Sequence, residues 1–294
     1  MNGVLPVDKP EGPTSHDIVA AARRALRERR IGHTGTLDPF ATGLLLLCVG
    51  PATRLAEYLT GMDKRYEGVA RLGVRTDTLD ATGAVTGEDA GWASLSAGEI
   101  RAAFEAEVGT RLQQPPAYSA KKVDGRRAYE LAREGAAVQP DPVEVTIRWL
   151  EVTAIDGPLV RFALECSSGT YVRAVARDAG ERLGVGAHLT ALRRTAIGRF
   201  GVEGALPLER LEDPAAVAAA LISPLEALGH LPVAEVDDGA TRRLANGQAV
   251  EAPEASGRGA GEARGGLVAV ASGGALVAVA ERDGGLLRPR KVFA

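Results

Sequence analysis

At 294 residues with 45% hydrophobic side chains, the chain can bury one large core and a smaller one, which excludes disorder for most of its length. No run of about 18 apolar residues occurs and no basic-then-apolar leader opens the chain, so the reading is a cytoplasmic protein with no membrane segment. The net charge of −3 argues weakly against a nucleic-acid partner but hides a segregation: residues 76–110 hold seven acidic side chains and one basic, residues 165–200 six arginines and three acids.

In chain order, a strand is expected over 4–7, then a helix from Ser15, whose hydroxyl can cap it and whose Ile18, Val19, Ala22 and Leu26 have helical spacing. The basic run Arg23-Arg24-Ala25-Leu26-Arg27-Glu28-Arg29-Arg30 continues it, either as a solvated helix face or as a contact for phosphates. Next comes Gly32-His33-Thr34-Gly35-Thr36-Leu37-Asp38-Pro39, then Ala41-Thr42-Gly43 and an apolar run over 44–49 that reads as a buried strand. Two glycines there let the backbone approach a ligand and take up positive φ, with polar side chains crowded around one carboxylate. Asp-Pro is also a common helix opening, the reading that suits Asp213-Pro214.

A helix over 52–59, a strand over 66–72, a polar loop over 75–83 and a helix over 97–107 follow. After a proline-rich loop at Pro115-Pro116 come a helix over 127–134, strands over 143–152 and 159–166, and a helix over 171–183. Long connections and adjacent strands argue for an α+β fold with a mixed, mainly antiparallel sheet. Cys48 and Cys166 fall in strand-like segments and read as buried free thiols; neither their spacing nor that of His16, His33, His188 and His230 suggests a metal site. Beyond about Leu231 the texture changes to a short helix over 240–245, a low-complexity stretch over 252–261 and alternating strands over 267–271 and 276–280. The expected division is therefore a domain over 1–230 and a small β domain over 231–294.

The motif G-H-T-G-x-L-D-P-x-A-T-G-x-L resembles the catalytic-aspartate motif of the tRNA pseudouridine synthase B (TruB) family. The resemblance runs through Gly3-Val4-Leu5-Pro6-Val7-Asp8-Lys9-Pro10, Lys64-Arg65-Tyr66, Pro115-Pro116-Ala117-Tyr118-Ser119-Ala120-Lys121, Ser168-Gly169-Thr170-Tyr171-Val172-Arg173 and Leu192-Arg193-Arg194-Thr195. It departs at Arg177-Asp178-Ala179-Gly180, where a more acidic stretch is expected, and this puts local contacts in doubt. The resemblance implies isomerisation of uridine 55 in the TΨC loop of tRNA, with Asp38 catalytic and no cofactor. It further implies that Tyr66 stacks on a flipped base, Arg173 pairs with Asp38, His33 enters the RNA where the nucleotide leaves, and Leu192 walls the pocket. Otherwise Tyr66 is a core aromatic, Arg173 a surface arginine, His33 a polar loop residue and Leu192 helix packing. The C-terminal domain is similar to a PUA-type RNA-binding domain, its tail Arg288, Arg290 and Lys291 offering phosphate contacts. A monomer without an obligatory protein partner is expected. The rivals are a ribosomal-RNA synthase, guide-dependent ones included, and an RNA chaperone that needs no chemistry.

Overall fold

A computed structural model describes residues 1–119, 121–123, 125–128, 131, 134, 139–253 and 266–293. The elements begin β1 (Gly3–Lys9), α1 (Ser15–Leu26), β2 (Ile31–His33), β3 (Thr42–Val49), α2 (Ala56–Thr60), β4 (Lys64–Leu72), β5 (Val74–Thr76), β6 (Val85–Glu88), α3 (Ala97–Glu105) and β7 (Gly109–Gln113). They continue with β8 (Lys122–Val123), β9 (Arg126–Arg127), β10 (Val143–Asp156), β11 (Leu159–Cys166), α4 (Val172–Arg182), β12 (Ala187–Ile197), β13 (Phe200–Gly201), β14 (Leu206–Pro207), α5 (Pro214–Ala220) and α6 (Pro224–Ala227). The chain closes with β15 (Val233–Glu235), α7 (Asp238–Ala245), β16 (Val250–Glu251), β17 (Leu267–Ser272), β18 (Ala275–Asp283) and β19 (Leu286–Val292).

The main sheet runs β14-β1-β3-β12-β4-β11-β10-β7, with β2 beside β3 and β13 beside β12. Only the β1–β14 and β3–β12 pairs are parallel, so this is the mixed, mainly antiparallel sheet of an α+β fold. Strand β3 explains its own composition. Leu45, Leu47 and Val49 pack with Ile18 and Ala22 of α1, while Leu44, Leu46 and Cys48 face Leu55, Leu59 and Ile197 on the other side. A strand buried on both faces has no use for alternation. A third core, around Phe104, Phe162, Leu164 and Val175, lies where α3 and α4 cover the sheet.

Several expectations are corrected. Thr14, not Ser15, caps α1, through a capping box with Asp17. The expected helix over 52–59 is a 3-10 turn over Gly50–Leu55, entered through Gly50 at φ +65°, followed by α2. The basic run leaves the helix after Leu26, where Arg27 turns left-handed, and Arg23 donates to the Ile31 carbonyl at 2.7 Å. Arg24, Arg27 and Arg29 remain exposed. Loop 75–83 begins on strand β5, which pairs with β6. Arg126–Arg127 is a strand, and half of the helix expected over 127–134 lies outside the described residues, as does most of the stretch over 252–261. Asp213 caps α5 as expected, accepting from the Ala215 and Ala216 amides at 3.0 and 3.1 Å. Cys48 and Cys166 are buried free thiols, and burial pushes each up to about 12.

A second, five-stranded sheet, β15-β17-β18-β19-β16, begins at Val233. Its Ala269, Leu276 and Val279 lie in the same apolar cluster as Val4, Leu44 and Leu59 of the main sheet and its cover. Its basic tail is spent on protein: Arg288 pairs with Asp283, Arg290 with Glu281, and Lys291 with Glu57. Phosphate contacts there would have to displace these carboxylates. Because a fully buried aliphatic side chain contributes about 1.5–3 kcal/mol, removing residues 231–294 opens the shared cluster at a cost of several kcal/mol. Calorimetry should show a melting temperature lower by about 10 °C or more, at roughly 2–4 °C per kcal/mol. A truncated protein melting within about 2 °C of the full chain would contradict the shared core.

Candidate active site

The loop from Thr34 to Ala41 crosses the top of the main sheet and is held from below by three buried side chains. Lys9, at the end of β1, donates to the carbonyls of Pro10, Pro39 and Ala41 at 2.8, 3.2 and 2.7 Å. Burial holds its ammonium down to about 8, an effect that Asp38 partly opposes. Ser15 turns inward, its hydroxyl accepting from the Leu37 amide at 2.8 Å and donating to the Leu37 carbonyl at 3.0 Å. Arg194, on β12 and 1% exposed, donates to the carbonyls of Leu44, Gly35 and Thr36 at 2.7, 3.1 and 3.4 Å. Neither Gly32 nor Gly35 takes positive φ; Gly43 does, at +101°. A Cβ on Gly43 would meet the Arg194 carbonyl at 2.3 Å, so only glycine lets β3 and β12 close up and deliver Arg194 to the loop.

Asp38 caps no helix. Its carboxylate pairs with Arg173 Nε at 2.9 Å, in the first turn of α4. The same guanidinium reaches Asp80 at 3.3 Å and donates to the carbonyls of Thr78 and Tyr118 at 2.6 and 2.9 Å. Asp80, itself buried, accepts from the Thr82 amide and the Thr78 hydroxyl at 3.0 and 2.8 Å. Leu79 between them is left-handed at φ +63°, a conformation costing about 1–3 kcal/mol that the surrounding bonds must hold. The start of α4 is fixed by buried Gln113, whose amide donates to the Tyr171 carbonyl at 3.1 Å and accepts from the Tyr171 amide at 2.9 Å. At the unexpected Arg177-Asp178, Arg177 bonds its neighbour at 2.7 Å and the Gln114 carbonyl at 3.2 Å.

These groups border a cavity of about 240 Å³ lined by Asp38, Tyr66, Tyr171, Arg173, Leu192 and Lys64, among others. Burial raises the Asp38 carboxyl above the usual carboxylate range; Arg173 opposes this and Asp80 adds to it. One carboxylate is thus presented to the cavity in a mostly apolar frame, braced by a two-carboxylate, one-guanidinium cluster. Lys64 is buried, its ammonium held down to about 8 by desolvation, and donates to the carbonyls of Thr60 and Met62. Among the described residues no group of His, Cys, Asp and Glu could hold a metal.

Of the five residues singled out in the sequence, Asp38, Tyr66, Arg173 and Leu192 meet in this cavity. Tyr66 and Leu192 also belong to the apolar core beneath it, and Leu192 packs there from strand β12, which corrects the expectation of helix packing. His33 does not line the cavity; its Nδ1 accepts from the Gly35 amide at 3.3 Å and its ring meets His16 edge-on at 5.4 Å. Asp80, Gln113, Lys9 and Arg194 were not singled out as site residues. The only sequence signal for Asp80 was its place in an acidic, threonine-rich loop, Thr76-Asp77-Thr78-Leu79-Asp80-Ala81-Thr82.

Comparison with known proteins identifies the family of the chain. Residues 23–172 match the TruB family pseudouridylate synthase N-terminal domain, and residues 173–228 the tRNA pseudouridylate synthase B C-terminal domain. The tRNA pseudouridine synthase B of Geobacter sulfurreducens is 43% identical over 97% of this chain and 95% of its own, and that of Aromatoleum aromaticum 43% identical over 100% and 93%. Among solved structures, a Cbf5-Nop10-Gar1 complex matches with a TM-score of 0.76 and 27% identity, covering 99% of this chain and 85% of that one. An H/ACA RNP bound to a substrate RNA containing 2'-deoxyuridine matches with a TM-score of 0.74 and 25% identity, over 99% and 85%. With two family models covering residues 23–228 and relatives this similar end to end, the chain belongs to the TruB family of pseudouridylate synthases and is an isomerase that converts uridine to pseudouridine in RNA.

Proposed function

We propose that this chain isomerises uridine 55 in the TΨC loop of tRNA, using Asp38 on a base flipped out of the RNA. The observation that carries the reading is the Asp38–Arg173 pair at 2.9 Å, opening into a cavity that Tyr66 and Leu192 line. The relatives' name, tRNA pseudouridine synthase B, supports the choice of tRNA. The reaction breaks the C1′–N1 bond, rotates the uracil, forms C1′–C5, and moves one proton from C5 to N1, so it needs neither redox partner nor energy source. Asp38 can serve it as nucleophile at ribose or base, or as the base that takes a sugar proton. Arg173 orients it in either route. Residues 1–230 supply the chemistry and 231–294 a PUA-like RNA-binding domain. His33, on the surface beside His16, fills the space the nucleotide vacates. The enzyme acts as a cytoplasmic monomer on tRNA, without protein partner or cofactor. No helix among the described residues is long and apolar enough to span a membrane.

An isolated TΨC stem-loop transcript should therefore be converted at that one uridine, because the cavity takes a single nucleotide; a stem-loop left unmodified while full tRNA reacts would move recognition elsewhere. Tyr66 offers a second check. A phenylalanine keeps the stacking face and should bind near wild type, whereas a leucine loses about 1–3 kcal/mol of stacking, roughly 5- to 150-fold in affinity. Fluorescence titration with a stem-loop reads both. A leucine variant that binds and reacts like wild type returns Tyr66 to the core.

A further inference from the structure

The cavity beside Asp38 is also lined by Thr34, Gly35, Thr60 and Lys64. Pairing of β2 with β3 brings Thr34 inward; its amide donates to the Leu46 carbonyl at 3.2 Å, and the residue is 1% exposed. Yet its hydroxyl finds no hydrogen-bond partner among the described residues. Buried hydroxyls nearly always have one. The neighbours are satisfied by contrast: Thr60 donates to the Ala56 carbonyl at 2.7 Å, and Lys64 spends two N–H groups on the Thr60 and Met62 carbonyls at 3.0 and 2.7 Å, keeping a third. A Cβ on Gly35 would lie 3.6 Å from Lys64 Cε and 3.7 Å from Arg194 Nη1, so loop, ammonium and guanidinium converge there. The one carboxylate among the lining residues, Asp38, is held by Arg173. This part of the lining therefore presents a hydroxyl and an ammonium N–H, a pair suited to an oxygen acceptor.

We propose that Thr34, flanked by Lys64, forms a sub-site for an acceptor oxygen of the target nucleotide, either a uracil carbonyl or a phosphate oxygen; this rests on the function proposed above. The hydroxyl is left unpaired by the protein because the substrate pairs it. Once the glycosidic bond breaks, such a contact holds the nucleotide while the base turns.

Thr34→Val keeps the shape and removes only the hydroxyl. Because that hydroxyl has no partner in the protein, the variant should melt at or above the wild-type temperature while kcat/KM on a tRNA transcript falls about tenfold, and Thr34→Ser should restore most of it. Transcripts carrying 4-thiouracil or 2-thiouracil at the target, or a methylphosphonate at its 5′ linkage, separate the sources. The Thr34→Val deficit should shrink below about twofold for the substrate already lacking the recognised oxygen. A Thr34→Val enzyme with unchanged kinetics, or a deficit that persists in full on all three substrates, overturns the sub-site. Wild-type turnover in the same assay keeps that failure apart from failure of the reaction itself, since a wild type making no pseudouridine sinks both.

Discussion

Replacing Asp38 by asparagine should abolish pseudouridine formation, by about three orders of magnitude or more, while tRNA affinity stays near wild type. The reason is a division of labour. One carboxylate faces the cavity in reach of Arg173, whereas nucleic-acid binding in general rests on many phosphate and shape contacts. The fold should survive. Arg173 retains Asp80 and the carbonyls of Thr78 and Tyr118, and because burial raises the Asp38 carboxyl, its ionised form costs stability above the folded value, a cost that asparagine does not carry. The melting temperature should therefore be equal to wild type or higher. Single-turnover rates at saturating tRNA, with filter-binding affinities, separate chemistry from binding. Activity within about tenfold of wild type would give the chemistry to another group.

The second large effect belongs to Arg173. Its guanidinium is almost wholly buried and holds two carboxylates and two carbonyls at once. Arg173→Met leaves Asp38 and Asp80 facing each other without their counterion, a loss of at most about 3–5 kcal/mol, reduced by solvent at the Asp38 side chain, which is 35% exposed. It also removes the charge that opposes protonation of Asp38. Because burial raises the Asp38 carboxyl, the acid limb of the wild-type rate profile is expected above the usual carboxylate range. With Asp38 acting in its ionised form, as proposed, activity should be lost as pH falls through that limb, and in the variant the limb should move further up. Arg173→Lys keeps the charge but not the fork, so it should recover stability before rate. Single-turnover rates between about pH 5 and 8 test this. An unshifted limb in a folded Arg173→Met protein would dissolve the link between the two residues.

The parts of this site legible in the sequence were those whose residues lie together. Asp38 sits in a fourteen-residue motif, and the apolar run over 44–49 announces a strand buried on both faces. Tyr66, Arg173 and Leu192 were legible only through the family resemblance, since each has an ordinary local role. Asp80, Gln113, Lys9 and Arg194 depend on register between distant segments: Arg173 reaches Thr78 across 95 residues, and Gln113 reaches Tyr171 across 58. No local period records such meetings. The glycine assignment failed for a related reason, because Gly43 answers a strand 151 positions away while Gly32 and Gly35 sit in ordinary backbone. At the C terminus, composition could not show that Arg288, Arg290 and Lys291 pair with Asp283, Glu281 and Glu57.

The central claim is that this carboxylate site alone isomerises one uridine of tRNA. It is tested most directly by incubating the purified full-length protein with an unmodified tRNA transcript, without cofactor and with a metal chelator, then mapping every pseudouridine. The expected result is stoichiometric conversion at position 55 and nowhere else. Pseudouridine at another position, or none at all from a folded protein that binds the transcript, would contradict it.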